Sequence, residues 1–367
     1  MKIQLFNPVR HYKESEKKYL VAIKRVLSSG RLVLGKETEE FENEFAKYCG
    51  TKYAVMVNSG TSALLAALLA FDIKAGDEVI TTPNTFTATA QAISFSGAKP
   101  VFVDIDPKTY NIDPEKIETA INSKTRAIIP VHLYGQPAEM DKIKRIAKKY
   151  NLIIIEDAAQ AHGAKYKNKL AGNLADAGCF SFYVNKNLPS FGTSGTVTTN
   201  IQKIAQKIKF LRDNGKINKN DHTLSLNFMP EEIQACILRL KLKHLDQWNV
   251  KRIKIANQYK QALKNLPITL PLEKPDQITH VFHQFVIRTK ERNKLQEYLE
   301  VKGIQSRPYY PTPLHLQLAF RYLGYKKGNF PETEKAAKEI LSIPIYPDLS
   351  QKEIKHITEQ IKRFFKT

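Results

Sequence analysis

Two apolar runs near the middle of the chain end in groups that can do chemistry. Leu152-Ile153-Ile154-Ile155 leads into Glu156 and Asp157, and the aromatic run Gly178-Cys179-Phe180-Ser181-Phe182-Tyr183 leads on to Lys186, five positions after Ser181. An amine can form a Schiff base with an aldehyde, a carboxylate can pair with a protonated ring nitrogen, and a hydroxyl can bind a phosphate. Together they are what a pyridoxal phosphate enzyme asks of its protein.

Each residue also has a plainer reading. Among 57 lysines and arginines, any one lysine is by default a solvated surface group. The aromatic run ahead of Lys186 argues instead for a partly desolvated amine, whose lowered pKa makes it a nucleophile and base. Asp157 can cap a helix opening at Ala158, although capping does not require an acid. A carboxylate facing a pyridine nitrogen does require one, and Gln160 would then reach the ring hydroxyl. Asn58-Ser59-Gly60-Thr61-Ser62 follows an apolar run and opens a helix, so Gly60, Thr61 and Ser62 form either an ordinary capped turn or a phosphate cradle of free helix-end amides. Beside Asp157, Ser181 and Lys186 the cradle is preferred. Phe86, in Thr82-Pro83-Asn84-Thr85-Phe86, either stacks on a cofactor ring or packs in a core. Asn227 has no reading from its neighbours alone.

These groups need a frame. Strands are predicted at Tyr53–Val57, 78–82, 100–104, 127–131, 152–156 and 178–182, alternating with helices such as 62–69 and 140–149. The strands are apolar throughout, as when both sheet faces are covered, which indicates an α/β fold with a mostly parallel sheet and ligands at the carboxyl ends of its strands. Thr196–Thr199 would add an antiparallel strand. A long helical pattern over 230–263 leads into a smaller α+β part, with strands at 281–287 and 303–307 and helices at 290–301 and 351–365. The predicted division is a large cofactor-binding domain, 1–245, and a small C-terminal one, 246–367.

Composition narrows the function classes. A net charge of +21 would suit a nucleic-acid partner, but the lysines are scattered over solvated helix faces and no nucleic-acid-binding motif accompanies them. The same field attracts a phosphate-bearing small molecule. No apolar stretch approaches the roughly 20 residues of a membrane span, and the first residues lack a secretory signal. Cys49, Cys179 and Cys236 are too far apart for a disulfide framework or a metal motif, so a cytoplasmic location is expected, with no metal.

The ordered set Gly60-Thr61-Ser62-Ala63-Leu64, Gly76-Asp77-Glu78-Val79-Ile80, Glu156-Asp157-Ala158-Ala159-Gln160, Phe180-Ser181-Phe182, Lys186-Asn187-Leu188, Tyr309 to His315 and Leu341 to Pro347 resembles the DegT/DnrJ/EryC1/StrS family of sugar aminotransferases over nearly the whole chain. The resemblance implies the aspartate-aminotransferase-like fold (fold type I) and pyridoxal 5'-phosphate as cofactor. It also implies a homodimer with shared sites, L-glutamate as donor and a nucleotide-linked keto-deoxysugar as acceptor. By the same resemblance Lys186 carries the Schiff base, Asp157 meets the pyridine nitrogen, Gln160 the ring oxygen and Phe86 the ring face. Gly60, Thr61, Ser62 and Ser181 match phosphate-binding positions, and Asn227 matches an asparagine that reaches the phosphate from the partner subunit. Two positions depart from the pattern: Thr193-Ser194 replaces an acid and a glycine, and Met229 replaces an arginine. Both bear on sugar recognition or on contacts across the dimer. Two other functions compete, a pyridoxamine-dependent sugar dehydratase, in which a histidine replaces the lysine, and a non-enzymatic basic regulatory protein.

Overall fold

The computed structural model describes residues 1–13, 15–218, 220–223, 225–272 and 277–366. Its strands run, in chain order, β1 Tyr53–Val57, β2 Glu78–Thr81, β3 Lys99–Phe102, β4 Thr125–Ile128, β5 Ile153–Asp157, β6 Lys165–Tyr166, β7 Lys169–Leu170, β8 Ala177–Ser181, β9 Gly195–Thr199, β10 Ile278–Thr279, β11 Phe285–Arg288 and β12 Ile340–Ile343. Seven of them form one sheet in the order β1-β9-β8-β5-β4-β2-β3, in which β9 alone runs against its neighbours.

The continuous apolar strands have the predicted cause. Successive side chains point to opposite faces, and both faces are covered. Ala54, Met56, Ile154 and Phe180 enter the core on one side with Phe41, Phe45 and Leu238. Val55, Val57, Ile155 and Cys179 enter the other with Leu64, Leu68 and Ile208. A third core gathers Ile255, Tyr259, Phe282, Phe285, Leu295, Ile343 and Ile357 around β11 and β12, and Ile3 from the start of the chain joins it.

Some boundaries differ from the sequence reading. The pattern over 230–263 resolves into two helices, Glu232–Leu242 and Leu245–Leu263, separated by a turn at Lys243 and His244. The strand expected at 303–307 is reduced to single bridges from Ile304 to Ile3 and from Arg307 to Ser342, since its partners lie on two different segments. β12 and the helices Glu16–Ser29 and Lys36–Cys49 were not predicted. The last of these has no side-chain cap of its own; its open amides are taken by Glu232, which accepts from Gly35 N at 2.8 Å, Glu37 N at 2.8 Å and Thr38 N at 2.9 Å. No helix among the described residues is long and apolar enough to cross a membrane.

One buried polar network fixes the end of β5. Glu156 is fully buried, and its carboxylate accepts from Gly172 N and Leu174 N, both at 2.7 Å, and from His132 Nε2 at 2.9 Å. Ala138 N donates to His132 Nδ1 at 3.1 Å, so the ring proton belongs on Nε2, facing the acid. Glu156→Gln keeps the shape but sets an amide N–H against donors. We expect a loss of roughly 2–3 kcal/mol, seen as a lower urea midpoint with an unchanged slope; an unaltered midpoint would show the network to be dispensable.

Candidate active site

In a mostly parallel sheet the carboxyl ends of the strands open on one edge. There β5, β8, the start of helix Gly60–Ala70 and the loop after β2 border a cleft of about 470 Å³. Gly60, Thr61, Phe86, Asp157, Gln160, Ser181 and Lys186 all line it. Ser62 and Asn227 do not.

Asp157 is 5% exposed at the end of β5. Its Oδ2 accepts from Thr89 Oγ1 at 2.7 Å and its Oδ1 from Ala159 N at 3.2 Å. Burial pushes its pKa up, and these hydrogen bonds and the Lys186 charge oppose the shift. Lys186 follows β8 in a turn closed by its own N–H to Tyr183 O at 2.9 Å. Desolvation pulls its amine down to about 8, against the attraction of Asp157. The two groups thus line one cleft, and burial acts on both toward their neutral forms. His162 and His283 lie close by and are held neutral, His162 at about 3, first by burial and then by the Lys186 charge.

Helix Gly60–Ala70 begins against β8. A Cβ at Gly60 would stand 2.6 Å from the Ser181 Cβ, so only glycine allows the approach. Ser59 Oγ accepts from Ser62 N at 3.0 Å, and the Ser62 hydroxyl turns back to Asn58 Oδ1 at 2.6 Å. The turn is therefore a capped one, as in its plainer reading, and also a close one. Of its first amides, those of Ser62 and Ala63 are taken by Ser59, which leaves Gly60 and Thr61 as the candidates for a bound anion.

Gln160 is clamped at both ends of its amide. Tyr134 N donates to its Oε1 at 2.7 Å, and its Nε2 donates to Tyr310 Oη at 3.2 Å. Phe86 stands 54% exposed in the cleft, tilted against Tyr310 with ring centroids 5.9 Å apart. It belongs to none of the core clusters, so the core-packing reading of that residue does not hold. Asn227 is exposed outside the cleft, where its carbonyl accepts from Asn58 Nδ2 at 3.3 Å and its own Oδ1 accepts from Met229 N at 3.2 Å.

The fold adds residues that the sequence did not single out. Thr89 joins Asp157 to the Phe86 loop, its hydroxyl also 3.0 Å from Thr85 Oγ1. Tyr310, Asn185, His283 and Ser194 reach the cleft as well. The Tyr309-Tyr310 pair, within an ordered motif, was the available signal; for Thr89, one threonine among many, there was none. Asn185 Oδ1 and Ser194 Oγ are buried there without a hydrogen-bond partner.

Pyridoxal phosphate fits this set. The cleft offers an amine, a buried carboxylate, a side-chain amide held in place at both ends, an exposed aromatic face and a helix start packed on a serine. Its two orphaned polar atoms are consistent with a polar guest.

The model of the DegT/DnrJ/EryC1/StrS aminotransferase family matches residues 13–362. A transaminase from Aneurinibacillus thermoaerophilus, named for dTDP-3-amino-3,6-dideoxy-alpha-D-galactopyranose, is 45% identical, with 97% of this chain and 96% of the relative covered. A protein from Geobacillus stearothermophilus named as a pleiotropic regulatory protein is 42% identical over 100% of this chain and 99% of its own. Among solved structures, S. venezuelae DesV in complex with a ketimine intermediate superposes with a TM-score of 0.97 at 39% identity, covering 100% of this chain and 99% of the other.

Only the unprotonated amine attacks an aldehyde. The cofactor-free protein should therefore capture pyridoxal phosphate at a rate that climbs about tenfold per pH unit below the Lys186 pKa and flattens above it. With that pKa at about 8, stopped-flow absorbance should find the break there, and Asp157→Asn should move it lower by removing the charge that favours the ammonium. A break near the ordinary lysine value of 10.5 would mean that the amine is solvated.

Proposed function

The chain belongs to the DegT/DnrJ/EryC1/StrS aminotransferase family, and within it we propose that this pyridoxal phosphate enzyme takes its amino group from L-glutamate, passes it to a nucleotide-linked keto-deoxysugar and works as a homodimer in the cytoplasm. The observation that carries the reading is the convergence of Lys186 and Asp157 on one cleft beside the close Gly60–Ser181 contact.

In this reading Lys186 holds the cofactor aldehyde, Asp157 the ring nitrogen, Gln160 the ring oxygen and Phe86 the ring face. Gly60, Thr61 and Ser181 hold the phosphate. Ser62 can add its hydroxyl only by turning away from Asn58. When bound, the cofactor supplies the electron sink and carries the amino group. Asp157, ionised against a ring cation, regains the partner that its burial otherwise lacks. Lys186, with a pKa of about 8, is poised to take a proton from the substrate carbon and return it near neutral pH.

The basic surface favours a substrate bearing a diphosphate. The nucleotide-sugar transaminase name of the Aneurinibacillus relative supports the acceptor class. The lysine itself speaks against the dehydratase, whose pyridoxamine-dependent members carry histidine at that position. The regulatory name of the Geobacillus relative has no counterpart in the cleft, where a half-buried amine and a buried acid suit chemistry. We read 1–245 as the cofactor-binding domain and 246–367 as the smaller one, because Leu245–Leu263 leads from the sheet into the core around β11 and β12.

Glutamate should shift the absorbance of the yellow holoenzyme. Lys186→Met should lower turnover roughly 10³- to 10⁴-fold while still binding cofactor noncovalently. Asp157→Asn should keep the covalent link and slow the glutamate half-reaction roughly 10²- to 10³-fold. Borohydride reduction and peptide mass spectrometry should place the label on Lys186, and a label on another lysine refutes the assignment.

The shared site has its own test. Asn227 points out of its own cleft, so Asn227→Ala should weaken cofactor affinity only by way of a second copy. A dimer of undiminished cofactor affinity, with stability lowered by about 1 kcal/mol, would reduce Asn227 to a local cap.

A further inference from the structure

The loop that presents Lys186 to the cleft has a second face. On its other side lies a second cavity of about 80 Å³, lined by His11, Lys241, Trp248 and Arg252 and by Asn185 and Lys186 of the loop itself. Lys241 is 1% exposed. Its ammonium donates to Pro189 O at 2.8 Å and faces the Phe191 and Tyr19 rings at 4.0 and 5.5 Å from their centroids. Burial pulls its pKa down to about 7, with no acid opposing it. Arg252 is equally enclosed. One of its terminal nitrogens donates to Phe282 O at 3.2 Å and Ile345 O at 2.9 Å, while its Nε has no partner. His11 packs edge-on against Trp248 at 4.3 Å, and its Nε2 also has none. The acid on this wall is Asp348, whose charge acts on Arg252.

Two buried basic side chains therefore line one cavity with a single acid on its wall, and the Arg252 Nε–H there has no acceptor. A buried N–H without a partner is costly, and a buried charge without a counter-charge is more so. Water can accept hydrogen bonds but brings no charge. A void of this size admits an ion of water-like radius with some solvent, and no large anion.

We propose that this cavity binds a small monovalent anion of the halide class, held between the Lys241 ammonium and the Arg252 Nε–H, with the His11 ring beside it. The anion keeps Lys241 charged and so keeps its bond to Pro189 O, which anchors the segment 184–191 from behind. The site thus supports the placement of Lys186.

The test uses the holoenzyme at constant ionic strength and neutral pH, with gluconate, too large for the cavity, replaced stepwise by chloride. Ligand binding to the folded state alone raises Tm, here by about 2–4 °C. Lys241→Met should abolish the chloride response, while Lys243→Met, an exposed charge loss on the same helix end, should leave it intact. A bromide-soaked crystal should give an anomalous peak between Lys241 and Arg252. Should Lys241→Met fail to fold, His11→Phe should reduce the response and displace the bromide. Equal Tm in both salts, an undiminished response in Lys241→Met or His11→Phe, or bromide bound only elsewhere would each overturn the proposal.

Discussion

A carboxylate kept out of water at the end of β5 is the constraint around which the site is organised. Asp157 bears the desolvation cost of a buried acid and recovers part of it from Thr89, Ala159 and the charge of Lys186. Such a group is stable only if its surroundings are rigid, since a loosened site would hydrate it. The neighbouring Glu156, with three donors and full burial, supplies that rigidity. Adjacent acids on one strand thus take opposite parts. Glu156 turns into the protein and is saturated with hydrogen bonds; Asp157 turns to the cleft and keeps bonding capacity for a guest.

The sheet makes this possible through its apolar strands. β5 and β8 are parallel neighbours, with Asp157 in register with Cys179, so the acid and the lysine-bearing loop leave the sheet at the same edge. β9 then returns antiparallel beside β8 and places Gly195 under Ser59, where a Cβ would meet the Ser59 carbonyl oxygen at 2.2 Å. The phosphate-cradle candidate and the lysine loop are in this way seated on one another, and small residues at Gly60 and Gly195 set how closely.

Lys186 and Lys241 show how context divides identical side chains. Both lose basicity by burial, to about 8 and about 7. Lys186 faces an acid across a cleft large enough for a cofactor and its substrate. Lys241 faces two aromatic rings and a carbonyl in a small cavity, where its surroundings suit an ion and leave no room for a reaction. The segment between the two cavities is short, so each environment is felt by the other.

The sequence by itself determined the class of the fold and most of the chemical groups. Two-sided apolar strands leave little alternative to a covered parallel sheet, and an acid, a serine and a lysine at the ends of such strands must emerge on its carboxyl edge. The turn at Gly60 was legible for the same local reason, because helix ends and close approaches have residue preferences of their own. Only the tertiary structure decided the remainder. Thr89 and His283 acquire their places from partners far away in the chain, Asp157 and Asn187, and no local pattern marks them. The helix at Lys36–Cys49 is capped by Glu232, and the single bridge at Ile304 depends on Ile3; both pairings cross most of a domain. The orphaned ring nitrogen of His11 and Nε–H of Arg252 are likewise invisible along the chain, since a missing partner is a property of the space around a side chain rather than of its neighbours in sequence.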